Sequence, residues 1–302
     1  MRTDHAIETL RLTKRYGRHE ALRNVDLLVG RQEVFGLIGP NGAGKTTLIR
    51  VLVDLIRPTS GTAAVLGCDS RRQGVALRSR VGYLPGDLAL YDDLTAAEHL
   101  RLLARLRRRP ELDPRPLADR LGLDLHRPIR ALSKGNRQKV GLVQAFMHEP
   151  ELLILDEPTS GLDPLVQHEF VAMVEEARGD GATIFLSSHV LSEVERVADR
   201  VGLVRDGSLV TVEDLGQLKA RMTRRIELHL AGPAPPGAFA GIPGVRSVEQ
   251  RGDVVRLVVS GPVDAVVKTA ARFDVVSISS HDPDLEDVFL ELYDGEEAPL
   301  AV

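Results

Sequence analysis

The stretch Val34-Phe35-Gly36-Leu37-Ile38-Gly39-Pro40-Asn41-Gly42-Ala43-Gly44-Lys45-Thr46-Thr47 constrains this chain more than any other. Its apolar start reads as a buried strand. A glycine-rich turn follows, and Lys45-Thr46-Thr47 opens a helix with Leu48, Ile49, Val51, Leu52 and Leu55 on its apolar side. The segment fits G-x-x-x-x-G-K-[ST] in the strand–loop–helix context that gives the pattern its meaning. Glycines let backbone N–H groups converge on one concavity, and the helix N-terminus adds partial positive charge. That is a phosphate site. Lys45 can reach the β- and γ-phosphates of a nucleotide, and the Thr46 hydroxyl can ligate Mg²⁺.

A chain of 302 residues is long enough for about two domains. Its net charge of −4 gives no general reason to bind nucleic acid. The single cysteine, Cys68, excludes an internal disulfide and suits a reducing compartment. No run approaches the 18 apolar residues of a membrane span, and Met1-Arg2-Thr3-Asp4-His5 lacks the apolar core of a signal peptide. The expected place is the cytosol, unless a partner holds the protein at a membrane.

Taken in order, residues 6–12 and 24–29 read as strands, with a turn at Pro58-Thr59-Ser60-Gly61 and further strands over 62–66 and 81–84. The character changes near Leu94. Thr95 with Glu98 forms a capping-box pattern, and helical spacing runs on to Arg109. A second helix over 114–121 completes a helical insert at about 94–130. Arg107-Arg108-Arg109 reads as a solvated helix end. Then come a helix over 136–148, a strand over 152–155, a helix over 164–177, a strand over 183–186 and a helix over 190–198. Such alternation implies a mostly parallel sheet covered by helices. Residues 200–212 read as a hairpin turning at Asp206-Gly207. Past a boundary near 215–225, strands over 225–230, 245–249, 254–259 and 275–279, a rigid loop over 232–237, and helices over 263–272 and 285–293 make a compact α+β appendage. The residues from Gly295 on are expected to fray.

Two strand ends carry further chemistry. Leu152-Leu153-Ile154-Leu155-Asp156-Glu157 is an apolar strand ending in two acids, at the rim of the sheet where ligands bind. Asp156 is placed to hold the Mg²⁺ shell, directly or through water, and Glu157 to polarise an attacking water. Leu186-Ser187-Ser188-His189 ends likewise, and His189 can contact the γ-phosphate.

With these residues in view, the chain resembles the ATP-binding subunit of ABC transporters. Gly39 to Thr46 look like that family's Walker A loop, and Asp156 and Glu157 like the end of Walker B with its catalytic glutamate. Leu132-Ser133-Lys134-Gly135-Asn136 is similar to the signature motif, Ser160-Gly161-Leu162-Asp163 to the D-loop, His189 to the switch histidine, and Tyr16 to the aromatic that stacks on adenine. The motifs occur in the family's order and cover about residues 5–220. Asp284-Leu285-Glu286-Asp287-Val288-Phe289-Leu290 resembles the appendage of bacterial exporter ATPases whose permease is a separate chain. The resemblance implies an α/β phosphate-loop NTPase of ABC-ATPase type over 1–220, with an antiparallel β part and a helical insert, and an α+β accessory domain over 221–302. It implies ATP and Mg²⁺ as ligands. It also implies a head-to-tail pair, either a homodimer or two different ATPase subunits, in which Ser133, Lys134, Gly135 and Asn136 of one subunit face the ATP of the other. The protein would sit on the inner face of the membrane through its permease and export a drug-like or other small substrate.

The chain departs from the family pattern at three places. Lys134 stands where glycine is usual, and Asn136 where glutamine is usual. Gly86 falls at the position of the Q-loop glutamine, so either Asp87 substitutes or the site manages without. Two other readings make different demands on the sequence. A soluble relative acting on ribosomes or nucleic acid would be expected to carry a second cassette, or a long coiled coil between Walker A and the signature; neither appears. A kinase-like phosphate-loop enzyme would need neither 132–136 nor 160–163.

Overall fold

The computed structural model describes residues 5–70, 73–221 and 223–281. The chain divides into two compact units, Met1–Glu213 and Asp214–Val302.

The first unit contains two sheets. In the four-stranded sheet, β1 (His5–Tyr16) pairs antiparallel with β2 (His19–Gly30), and its other edge with β4 (Ser60–Val65), which in turn pairs with β5 (Cys68–Asp69). Strand β1 runs past the expected end at residue 12. Its polar second half keeps pairing up to Tyr16 opposite His19, around a tight turn in which Gly17 takes φ +60°. The six-stranded sheet has the order β10-β9-β3-β8-β7-β6. Its members are β3 (Val34–Ile38), β6 (Val81–Leu84), β7 (Leu152–Asp156), β8 (Thr183–Ser188), β9 (Arg200–Arg205) and β10 (Ser208–Asp214). All the pairings from β9 through β6 are parallel. Every residue of β3, β7 and β8 is buried, as continuous apolar runs in a doubly covered parallel sheet should be. Phe35 and Phe185 stack between β3 and β8 with centroids 5.7 Å apart. The β9–β10 turn is the expected Asp206-Gly207, with φ of +48° and +80°, the double positive that a two-residue hairpin demands.

Helices cover this sheet: α1 (Lys45–Leu52), α2 (Gly74–Arg80), α3 (Ala96–Leu106), α4 (Arg115–Arg120), α5 (Lys134–Phe146), α6 (Pro164–Gly179) and α7 (Leu191–Glu195). The capping box opens α3: Thr95 Oγ1 accepts from Glu98 N at 3.2 Å, and Glu98 Oε2 accepts from Thr95 N at 2.8 Å. That helix stops at Leu106, short of the expected Arg109, because Arg108 adopts φ +60°. Arg107 is not a solvated helix end. Its guanidinium donates to the carbonyls of Arg78 (3.0 Å) and Val81 (3.4 Å), which ties the insert to the start of β6. Arg120 holds α4 to α6 through Glu169 and Glu176, each at 2.6 Å. Helix α2 and the two-residue β5 were not expected from sequence; α2 is short.

In the second unit, α8 (Leu215–Arg221) opens with Gln217 N donating to Asp214 Oδ1 at 2.8 Å. A four-stranded sheet follows in the order β12-β13-β11-β14, made by β11 (Thr223–Leu230), β12 (Val245–Arg251), β13 (Val254–Ser260) and β14 (Val275–His281). Ile226, Leu228, Val255, Leu257 and Val259 alternate onto one face and pack with Val266 and Ala270 of α9 (Asp264–Ala270). The proline-rich loop over 232–237 leads into this core, where Ala234 and then Phe239 are buried. The helix expected over 285–293, and the family-like segment Asp284 to Leu290, lie outside the described residues.

Candidate functional site

Parallel pairing puts three chain reversals side by side. Strand β3 leads into the glycine-rich loop, β7 into Glu157 and β8 into His189, with Ile38 in register with Ser188 and Asp156 with Ser187. The loop, the start of α1 and the β1–β2 turn enclose a cavity of about 340 Å³ lined by Tyr16, Pro40, Asn41, Gly42, Gly44, Lys45, Thr46, Thr47 and Glu157, together with His19 and Ala21. Gly44 takes φ +111°, and a Cβ there would lie 2.6 Å from the Ala21 carbonyl, so only glycine closes this loop. Ala43 is buried beneath it. Tyr16 is 48% exposed at the mouth, its ring face free enough for Lys14 Nζ to sit 4.9 Å from the centroid.

Lys45 is 6% exposed. Its ammonium donates to the carbonyl oxygens of Gly39 (2.5 Å) and Pro40 (3.2 Å) and stands 3.6 Å from Glu157 Oε1. Burial pulls its pKa down, and the charges of Glu157 and Asp156 pull it back. The other Glu157 oxygen, Oε2, is 2.7 Å from His189 Nδ1. Lys45, Glu157 and His189 therefore form one chain of polar contacts, of which Lys45 and Glu157 line the cavity. Behind them Asp156 is fully buried. Its Oδ1 accepts from Ser187 Oγ at 2.5 Å, while its Oδ2 has no hydrogen-bond partner among the described residues. A buried carboxylate oxygen left in that state suits a divalent cation or one of its waters. Gly86 lies beside it: a Cβ at that position would come within 3.1 Å of Asp156 Oδ2.

Ser133, Lys134, Gly135 and Asn136 do not line this cavity. Ser133 caps α5, its hydroxyl accepting from Asn136 N at 3.3 Å. A Cβ on Gly135 would lie 2.6 Å from the Gly161 carbonyl, so the glycine permits contact between the helix start and the loop over 160–163. Lys134 folds across the same loop, Nζ donating to Ser160 Oγ at 3.4 Å. Asp163 caps α6 by accepting from Leu165 N and Val166 N, both at 3.1 Å. The expected residues thus fall into two groups, one around the cavity and one at the start of α5.

The ABC transporter family matches residues 22–160. The bacitracin transport ATP-binding protein of Enterococcus faecalis is 37% identical over 76% of this chain and 75% of its own length. The daunorubicin resistance ATP-binding protein of Streptomyces coeruleorubidus is 35% identical over 96% of each. This chain belongs to the ABC transporter ATP-binding family. A solved ATP-binding subunit of an ABC transporter superposes with TM-score 0.66 at 34% identity, covering 71% of this chain and 92% of that one. The cassette fold expected from the phosphate-loop, Walker B and signature resemblances is the one present.

The cassette contains further polar contacts near the site that no sequence motif announces. Glu193 Oε2 accepts from Thr159 Oγ1 (2.5 Å) and Ser188 Oγ (3.0 Å), bracing the turns on either side of the Glu157–His189 pair. Ser187 anchors both Asp156 and the Glu157 amide. Gln138, on α5, is 7% exposed and donates to the carbonyls of Glu157 (3.2 Å) and Pro158 (3.0 Å). The only sequence signal for Gln138 was an amide on a helix that buries Val140, Leu142 and Val143.

Proposed function

We propose that this chain is the ATP-binding and ATP-hydrolysing subunit that energises export of a drug-like or other small molecule through a separate membrane permease. The observation that carries the reading is that Glu157, lining the phosphate-loop cavity with Lys45, meets Lys45 through one carboxylate oxygen and His189 through the other. Tyr16 stacks on adenine at the mouth. The loop from Gly39 to Thr47 takes the phosphates on its amides, and Lys45 exchanges the carbonyls of Gly39 and Pro40 for phosphate oxygens. Glu157 orients the attacking water and receives its proton, and His189 holds the carboxylate and meets the γ-phosphate. Thr46 and Asp156 would hold Mg²⁺, Asp156 directly or through water; the bound cation supplies charge against the phosphate oxygens.

The helix start at Ser133, with Lys134, Gly135 and Asn136, serves the ATP of a second ATPase subunit, with Asp163 at the joint. That Ser133 to Asn136 do not line the cavity of their own chain supports completion by a partner. Residues from α8 onward act as an accessory domain. The two relatives serve bacitracin transport and daunorubicin resistance, which supports export. No described helix is long and apolar enough to cross a membrane, which accords with a permease on another chain.

Two measurements test this. Glu157→Gln with ATP and Mg²⁺ is expected to elute as a dimer in size-exclusion chromatography; a strictly monomeric protein at saturating ATP would remove the paired site and leave a single-chain phosphate-loop enzyme. Tagged Glu157→Gln drawn from gently solubilised membranes should bring a polytopic membrane protein at near-equal stoichiometry. Recovery of ribosomes or DNA instead would overturn the transport reading.

A further inference from the structure

The backbone of Glu157 sits in the left-handed region, φ +51°, which residues with a side chain resist. Such a conformation persists only where the surroundings over-determine it. Here it is tethered on both sides. The Glu157 amide donates to the Ser187 carbonyl (3.1 Å) and the Ser187 hydroxyl (3.2 Å). Beyond the side chain, the Glu157 and Pro158 carbonyls accept from one group, Gln138 Nε2, at 3.2 and 3.0 Å. The first tether comes from the sheet. The second comes from α5, whose N-terminal cap is Ser133.

We propose that Gln138 is a positioning residue that sets the Glu157 backbone and transmits to it the occupation of the α5 N-terminus. The inference rests on the reading above, in which Ser133 meets the partner subunit's ATP and Glu157 orients the water. The geometry behind it is direct. Glu157 places one carboxylate oxygen 3.6 Å from Lys45 and the other 2.7 Å from His189, so a backbone turn out of the left-handed region would carry the carboxylate away from both. Gln138 opposes that turn while riding on the helix that receives the second nucleotide. A displacement at Ser133 reaches Glu157 through one rigid helix and one amide. Glu193 braces the neighbouring Thr159 and Ser188 from α7 and does not bond the Glu157 backbone. Gln138 is thus the signature-helix side chain that bonds the Glu157 backbone itself; Lys134 reaches the same turn at Ser160.

The test uses the full-length protein and Gln138→Met, which keeps the length of the side chain and loses the donor. ATPase kcat is expected to fall about tenfold or more, while the Kd for a fluorescent ATP analogue changes by less than about twofold. In a Glu157→Gln background, adding Gln138→Met is expected to change single-turnover hydrolysis by less than about twofold, because the positioned group is already gone. A residue that only stabilises the fold would lower the melting temperature without this split and without non-additivity. Should the Met variant fail to fold, Gln138→Asn keeps the amide, draws it back by one methylene, and carries the same expectations. Unchanged kcat in Gln138→Met, alongside a strongly impaired Glu157→Gln, would overturn the positioning role alone. So would an equal loss in both backgrounds. Full turnover by Glu157→Gln would overturn the catalytic reading and the inference with it.

Discussion

The two units differ in what they bury. The first buries polar side chains, among them Lys45, Gln138, Asp156, Ser187 and Ser188, in and beside a largely apolar interior. In the second, every buried side chain among the described residues is apolar, from Ile226 to Ala270. A buried polar group without partners costs a few kcal/mol in general, and about 1–3 by mutational measures. Such groups persist where they are partnered, or where chemistry requires them exposed to a ligand rather than to water. In the first unit Lys45, Gln138, Asp156, Thr159, Ser187 and Ser188 gather around the C-terminal ends of β3, β7 and β8, while Thr9, Thr13, Ser70, His99, His148 and Thr183 are buried elsewhere.

The largest effect that would sharpen this contrast is on catalysis. Glu157→Gln is expected to lower ATPase kcat by about 10²–10⁴-fold while leaving urea stability nearly unchanged. A large stability loss would mean that the carboxylate is there for the fold. Next, Phe239→Ala removes a fully buried ring from the second unit and should cost about 3–5 kcal/mol of that unit's unfolding free energy, with nucleotide affinity kept within about twofold. A collapse of ATP binding in that variant would break the separation between the units.

A smaller effect belongs to His148, 5% exposed, with Nε2 3.2 Å from the Val81 carbonyl. Burial, and then the nearby charge of Arg107, depress its pKa from 6.5 to about 4. The unfolded chain therefore takes up the proton first as pH falls. The stabilisation from keeping His148 neutral is complete above pH 6.5 and is lost on descent towards pH 4, by about 3 kcal/mol at most. Urea titrations from pH 7 to 4 should show a shallower slope in His148→Gln; parallel slopes would place the acid sensitivity elsewhere. The smallest effect is expected at the surface. Arg120→Ala removes a guanidinium that joins α4 to α6 but is about one-third exposed, and should cost about 1 kcal/mol or less in thermal or urea unfolding.

Much of this architecture is legible without coordinates because its signals are local. The capping box at Thr95, the Asp206-Gly207 turn, the apolar runs of β3, β7 and β8, and the alternation of β11 and β13 each depend on residues within a few positions of one another. What escaped was weakly patterned or non-local. Helix α2 is seven residues long, β5 only two, and both are held by neighbours rather than by their own periodicity. The second half of β1 is polar, and its partner strand keeps it extended. Arg107 looked like one of three exposed cations because nothing near it in sequence announces the carbonyls of Arg78 and Val81.

The same division holds at the site. The glycine spacing, the lysine that follows it, the paired acids and the polar ends of β7 and β8 were determined by the sequence, since each is a short motif with its own backbone requirement. The family resemblance followed from their order. Tertiary structure alone decided that Glu157 meets His189 across β7 and β8, that Lys45 rests on its own loop's carbonyls, that Asp156 Oδ2 stays unpartnered beside Gly86, and that Gln138 reaches the Glu157 backbone from α5. These contacts depend on the register of parallel strands and on helix packing. Both are settled by the whole core at once, so no window of sequence contains them.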